Sequence, residues 1–424
     1  MVPAMISPAV EDYIKWAEAE AQLVPGLDHF QARPVGAVGI IGGGTMGTGI
    51  AVAHLMAGIP VTLVERDRAS LDRAGATIRK TLENNVASGR VTAEAGEAAL
   101  RCLTLAIDMA ALATADLVIE AAFETMEVKQ AIFAELDGIA RAGAILASNT
   151  SYLDIEQIAS ATSRPMDVVG LHFFSPANIM KLLEIVRTPA TAPDVLTTAL
   201  SHAVAIGKKP VVANNAFGFI GNRMLAVRRM EAESIILEGV TPDRVDRVVE
   251  AFGFRMGPFR MGDLAGLDLG WSPDTSSGST VRERLCEAGR RGQKTGAGFY
   301  DYDDQRKPVV SAQALDIISG FAADHGVAAR EWSDAAILDR MLLPMIDEGA
   351  RLLAEGVAQR ESDIDVVWLN GYNWPRHTGG PMFYAREIGL DAVCSRLEAI
   401  GREPSEALRQ LGQNPPPWQD HFQA

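Results

Sequence analysis

One glycine-rich segment narrows the possible folds more than any other feature of the chain. Residues 39–51 read GIIGGGTMGTGIA, with Gly42, Gly44 and Gly47 at G-x-G-x-x-G spacing. An apolar run over 35–41 leads in and a helical pattern leads out. In that context the first glycine permits a tight turn and the second lets the backbone approach a pyrophosphate. The third lets helix and strand pack closely. The helix opening at Thr45 and Met46 has free N–H groups at its N-terminus, which favour phosphate oxygens. Glu65 ends the next strand, where a carboxylate hydrogen-bonds ribose hydroxyls and repels a 2′-phosphate. The pattern predicts a nucleotide-binding domain that takes NAD rather than NADP.

The rest of the first half extends this unit. Apolar strand patterns at 61–65, 115–121, 144–148, 168–174, 181–186 and 210–212 alternate with helical ones at 71–88, 129–140 and 195–206. Such alternation predicts a mostly parallel sheet with helices on both faces. An amphipathic helix over about 8–23 precedes it, stopped by Val24-Pro25-Gly26. Beyond about residue 215 helices take over, and NRMLAVRRMEAESIILEGV (222–240) matches DRMLLPMIDEGARLLAEGV (339–357). Each copy runs on to Gly-Pro-hydrophobic, at Gly257-Pro258-Phe259 and Gly380-Pro381-Met382, which indicates a duplicated helical module. The expected organisation is a linker-like segment (1–33), an α/β Rossmann-type NAD-binding domain (34–213) and two tandem all-α modules (214–305 and 306–424).

The chemistry concentrates in Gly170-to-Val186, GLHFFSPANIMKLLEIV, where His172 and Glu184 each sit within an apolar run. A carboxylate is seldom buried without a partner. If the two strands adjoin, Glu184 accepts a proton from one imidazole nitrogen and leaves the other basic, which is how a general base is built. The net charge of −15 argues against nucleic-acid or anionic-membrane partners and requires a local basic patch for a polyanionic substrate. Arg79, Lys80 and Arg90 are candidates for that patch. Only three cysteines, Cys102, Cys286 and Cys394, are widely spaced, which suggests neither disulfides nor a metal site. The N-terminal MVPAMISPAVEDYIK lacks signal-peptide order, and the C-terminal HFQA is no peroxisomal address, so a cytoplasmic location is expected.

These segments, with SNTSYL (148–153), GFIGNR (218–223), MGPF (256–259), GQKTGAGFYDY (292–302) and RESDIDVVWLNGYNWPRHTGGPMFY (360–384), resemble the L-3-hydroxyacyl-CoA dehydrogenases. The match is to the dehydrogenase half of the multifunctional fatty-acid β-oxidation enzymes, without the hydratase half. The resemblance implies oxidation of an L-3-hydroxyacyl-CoA to the 3-oxoacyl-CoA, with NAD as cofactor and the helical modules as the family's C-terminal domains. It implies that His172 is the catalytic base, Glu184 the acid orienting it, Asn222 the contact to the reacting oxygen and Ser151 a hydroxyl between nicotinamide and substrate. It assigns Glu124, Lys129, Ser175 and Lys294 to the cofactor, beside the glycine-loop residues, and Thr81 to the substrate with Ser151 and Asn222. Single-function relatives dimerise through one helical module, so two modules imply a monomer. An enoyl-CoA hydratase is the expected functional partner. Two other readings use the same residues: a 3-oxoacyl-CoA reductase working in a biosynthetic direction, and a scaffold that keeps the fold without catalysis.

Overall fold

Short runs of Val, Ile and Leu without polar alternation make strands that are buried on both faces. In the computed structural model, which describes residues 6–416 and 418–419, such runs form β1 (Val38–Ile41), β2 (Val61–Val64), β4 (Leu117–Glu120), β5 (Ile145–Ser148), β6 (Val168–Phe173), β7 (Leu182–Arg187) and β8 (Lys209–Asn214), and the less apolar LTLA forms β3 (Leu103–Ala106). They assemble in the order β3-β2-β1-β4-β5-β6-β7-β8. β1 through β6 are parallel, β7 runs antiparallel to β6, and β8 is parallel to β7. The strand order reverses between β1 and β4, the place where doubly wound sheets bind ligands at the strands' carboxyl ends.

The predicted alternation is present, with two differences. Strand β3 and the preceding helix Ala93–Arg101 give little apolar signal, because β3 lies at the sheet edge with none of its residues buried. The first strand begins at Val38 rather than 35; the amides of Gly36 and Ala37 donate to the Asp116 carboxylate instead of to a neighbouring strand. The core between sheet and helices is aliphatic, built on residues such as Ile40, Ile50, Leu63, Leu71, Ile119 and Leu171.

The chain divides into two compact units, Pro8–Arg223 with Leu352–Tyr372, and Met224–Arg351 with the residues from Asn373 onward. The first unit thus takes a piece of the second repeat copy. Its N-terminal helix, Pro8–Glu20, buries Tyr13, Ile14 and Ala17 against the helix Glu361–Gly371, where the Tyr13 hydroxyl donates to Asp365 at 2.5 Å. Gly371 lies so close to β7 that an added Cβ would fall 2.4 Å from Leu182 Cδ2. The other unit is helical, with a small hairpin at Tyr300–Tyr302 and Pro308–Val310. There the buried Asp246 accepts the Phe259 and Arg260 amides and the Tyr300 hydroxyl, and Asp263 accepts the Phe299 and Tyr300 amides and the Tyr302 hydroxyl. The C-terminal HFQA lies outside the described residues, as does the start of the N-terminal segment.

Candidate active site

The glycine loop leaves β1 and opens the helix Thr45–Met56. Gly42 has φ +98°, and an added Cβ would stand 2.6 Å from the Ala121 carbonyl oxygen, so β1 and β4 approach too closely for any side chain. At Gly47 a Cβ would lie 1.8 Å from the Gly42 carbonyl oxygen. Gly44 differs, because a Cβ there would meet nothing within 4 Å. The protein's own packing does not require glycine at that position; the space beside it is open. The helix also has no side-chain cap, whereas neighbouring helices are capped by Asp67, Thr92, Thr125 and Asp154. Open space over an uncapped helix N-terminus fits a pyrophosphate. Glu65 accepts the Gly43 amide at 2.7 Å, which holds its carboxylate at the mouth of the loop. Gly43 went unread in the sequence, although a Cβ there would fall 2.5 Å from the Ala74 side chain.

A second group lies at the ends of β4 and β5. Glu120, fully buried, accepts Lys129 Nζ at 2.8 and 2.9 Å, the Ser148 hydroxyl at 2.7 Å and the Ala122 amide at 2.7 Å. Lys129 also pairs with Glu124 at 3.2 Å. Glu124 in turn accepts the Thr150 hydroxyl and the Ser151 amide at 2.5 and 2.7 Å. Burial by itself would raise the Glu124 carboxyl, but these hydrogen bonds and the Lys129 charge hold it below its ordinary range. The network fixes the Ser-Asn-Thr-Ser turn. Among the described residues the Ser151 hydroxyl has no protein hydrogen-bond partner. Glu120 is a central residue that the sequence reading passed over; an acid closing the apolar run LVIE was its signal.

His172 and Glu184 are direct cross-strand partners on β6 and β7, and both are buried. Nδ1 of His172 lies 2.7 Å from Glu184 Oε2. The other oxygen, Oε1, accepts the amides of Ile220 and Gly221 at 3.2 and 3.0 Å, where the helix Gly221–Leu237 begins. One carboxylate therefore joins the imidazole to the segment carrying Asn222. That segment turns sharply: Gly218 has φ +74° and Phe219 φ +49°, the latter a region that costs a bulky residue ~1–3 kcal/mol. The Phe219 and Phe174 rings flank the imidazole at centroid distances of 5.6 and 4.5 Å. Asn222 Nδ2 donates to the Ser151 carbonyl oxygen at 3.4 Å, and the Tyr372 hydroxyl donates to Asn222 Oδ1 at 2.9 Å. His172, Glu184, Asn222, Ser151, Glu124 and Lys129 thus form one connected set of contacts within a single unit.

Among the described residues, no hydrogen bond links Ser175, Thr81, Arg79, Lys80 or Arg90 to that set. Ser175 is exposed just past the end of β6. The loop it opens is held by the buried Lys208, which donates to the Ala177 and Met180 carbonyls. Thr81 lies in the helix Arg68–Ala87 and its hydroxyl donates to the Thr77 carbonyl at 2.9 Å. Arg79, Lys80 and Arg90 are exposed. Lys294 belongs to the other unit and pairs with Asp268 at 2.6 Å.

Comparison with known proteins agrees with this architecture. Residues 37–216 match the 3-hydroxyacyl-CoA dehydrogenase NAD binding domain, and the family's C-terminal domain matches at 218–302 and again at 337–422. The chain is 41% identical over 426 residues to a peroxisomal bifunctional enzyme of Pongo abelii, covering 93% of this chain and 58% of the relative. It is 36% identical over 403 residues to a peroxisomal fatty acid beta-oxidation multifunctional protein of Arabidopsis thaliana, covering 91% and 55%. It thus spans less than two thirds of the length of these curated relatives. A solved structure, the dehydrogenase part of multifunctional enzyme 1 from C. elegans, aligns with a TM-score of 0.68 and 30% identity over 94% of this chain and 96% of that one. The cytoplasmic location expected from the sequence is corrected by these relatives, which are named as peroxisomal or, in other plants, glyoxysomal enzymes. Both halves of the chain match the same family in its own domain order, and the chain belongs to the 3-hydroxyacyl-CoA dehydrogenase family.

Proposed function

We propose that the chain carries out NAD-dependent oxidation of L-3-hydroxyacyl-CoA to 3-oxoacyl-CoA, with His172 as general base. The observation that carries this reading is the Glu184 carboxylate, shared between His172 Nδ1 and the amides that precede Asn222. A carbonyl or carboxylate oxygen only accepts, so Glu184 holds the proton on Nδ1 and leaves Nε2 as the basic nitrogen. His172 takes the hydroxyl proton through Nε2, and Glu184 stabilises the charge that arrives on the ring. Asn222 Nδ2 donates where negative charge develops on the substrate oxygen, an interaction stronger in the transition state than in the ground state. The Ser151 hydroxyl orients the same carbinol. NAD, when bound, supplies the hydride acceptor, and the glycine loop with Glu65 would hold it.

The same groups serve either direction. Oxidation is the preferred one because the plant relative is named for fatty acid beta-oxidation. Arg79, Lys80 and Arg90 are proposed to receive the CoA phosphates. The duplicated helical module supports a dehydrogenase unit complete in one chain, and an enoyl-CoA hydratase is the proposed source of its substrate.

Absorbance at 340 nm with acetoacetyl-CoA and NADH tests the reading. The wild type should oxidise NADH, and a chain that does not would be a scaffold. His172→Ala and Glu184→Gln should each lose ~10²–10⁴ in turnover, while NADH binding followed by fluorescence survives. An equal loss of NADH affinity in either variant would overturn the assignment.

A further inference from the structure

Asn222 has to present an N–H, not its carbonyl oxygen, to the reacting oxygen, and a primary amide can be turned either way round. The neighbours decide which. The Ser151 carbonyl can only accept, so the amide atom facing it is Nδ2. The atom facing Tyr372 is then Oδ1, and the phenol hydroxyl must donate to it, at 2.9 Å. A donor on Oδ1 also draws electron density from the amide, which makes its N–H groups better donors.

The Tyr372 ring is fixed in place. It stacks on Trp368 with centroids 4.7 Å apart and meets the edge of Phe174 at 5.4 Å. It lies so close to Gly221 that a Cβ there would fall 2.3 Å from the ring. The helix Glu361–Gly371 delivers it, anchored by Tyr13 on Asp365 and by the close approach of Gly371 to Leu182.

We infer that Tyr372, supplied by the second copy of the helical repeat, is a positioning residue for the dehydrogenase reaction and acts through Asn222. The inference rests on the proposed function. It assigns part of the second copy a task in the chemistry in addition to packing.

A double-mutant cycle tests it, using the full chain, acetoacetyl-CoA and NADH. Tyr372→Phe keeps the ring and removes only the hydroxyl. It should lower kcat about 10-fold, the effect of one neutral hydrogen bond, with KM for NADH unchanged. In an Asn222→Ala background the same change should have no further effect, because the group it orients is gone. An unchanged kcat in Tyr372→Phe overturns the inference. So does an equal fold-loss in both backgrounds, which would mark a general packing role. A wild type that oxidises no NADH overturns the functional reading beneath it, an outcome distinct from either.

Discussion

His54 and His202 form a buried pair in the nucleotide-binding unit, with Nε2 atoms 2.9 Å apart. Nδ1 of His54 faces the Ile50 carbonyl at 2.7 Å, so it carries the proton, and Nε2 of His54 must accept from His202. A proton added at His54 Nε2 would face the His202 N–H, and a charge on either ring would be buried. Burial first, then the His202 and Lys208 charges, push His54 down to about 3; burial pushes His202 down to about 4. Both folded values lie below the ordinary 6.5, so the unfolded chain binds these protons first as pH falls. The pair's contribution to stability is therefore present above about 6.5 and is lost as pH falls towards about 4 for His202 and about 3 for His54. Each tenfold change in proton affinity corresponds to roughly 1.4 kcal/mol. Melting temperature should rise with pH across that window, and His202→Gln should flatten the rise; an unchanged slope would show that the pair does not titrate with unfolding. The two histidines are 148 residues apart in the chain, so the pair exists only in the fold.

At the scale of the element, the glycine loop separates conformational need from ligand need. Gly47 is required by the protein itself, because a Cβ would overlap the Gly42 carbonyl. Gly44 is surrounded by open space. Gly47→Ala should therefore destabilise the fold by ~1–3 kcal/mol, read as a lower urea midpoint. Gly44→Ala should leave that midpoint in place and weaken NADH about tenfold, the loss of one good hydrogen bond; equal stability losses in the two variants would refute the distinction. Most strands of the sheet were legible because residues buried on both faces must be apolar throughout. β3 was not, since an edge strand with no buried residue carries no such requirement. His172 and Glu184 were legible as residues but not as a pair. Their contact depends on antiparallel pairing of β6 and β7 in one register, and a shift by a single residue would turn them to opposite faces.

For the whole molecule, the duplication is the organising fact. The family's C-terminal domain matches twice, and the second copy is divided, with Leu352–Tyr372 in the unit that holds the sheet. If two copies in one chain complete the dehydrogenase unit, sedimentation at micromolar concentration should return the mass of a single chain; a stable dimer would count against that proposal. The N-terminal helix reads as a linker in sequence, yet it buries Tyr13, Ile14 and Ala17, and Arg360 donates to the Glu20 carbonyl at its end and to the Leu23 carbonyl just beyond it. It is part of the sheet-bearing unit.

The local chemistry was legible in the chain alone: a glycine loop between strand and helix, an acid after the second strand, a histidine and a glutamate in apolar runs, and a repeated helical pattern. These are legible because backbone geometry and the cost of burying charge act on residues close together in the chain. Which distant groups meet depends on the fold. Glu184 joining His172 to the Asn222 segment, Glu120 accepting the Ser148 hydroxyl, and Tyr372 orienting the Asn222 amide are all contacts across strands or across long stretches of chain. Hydrogen bonds of that kind need two groups within about 3 Å, and no local pattern in a sequence records such a distance.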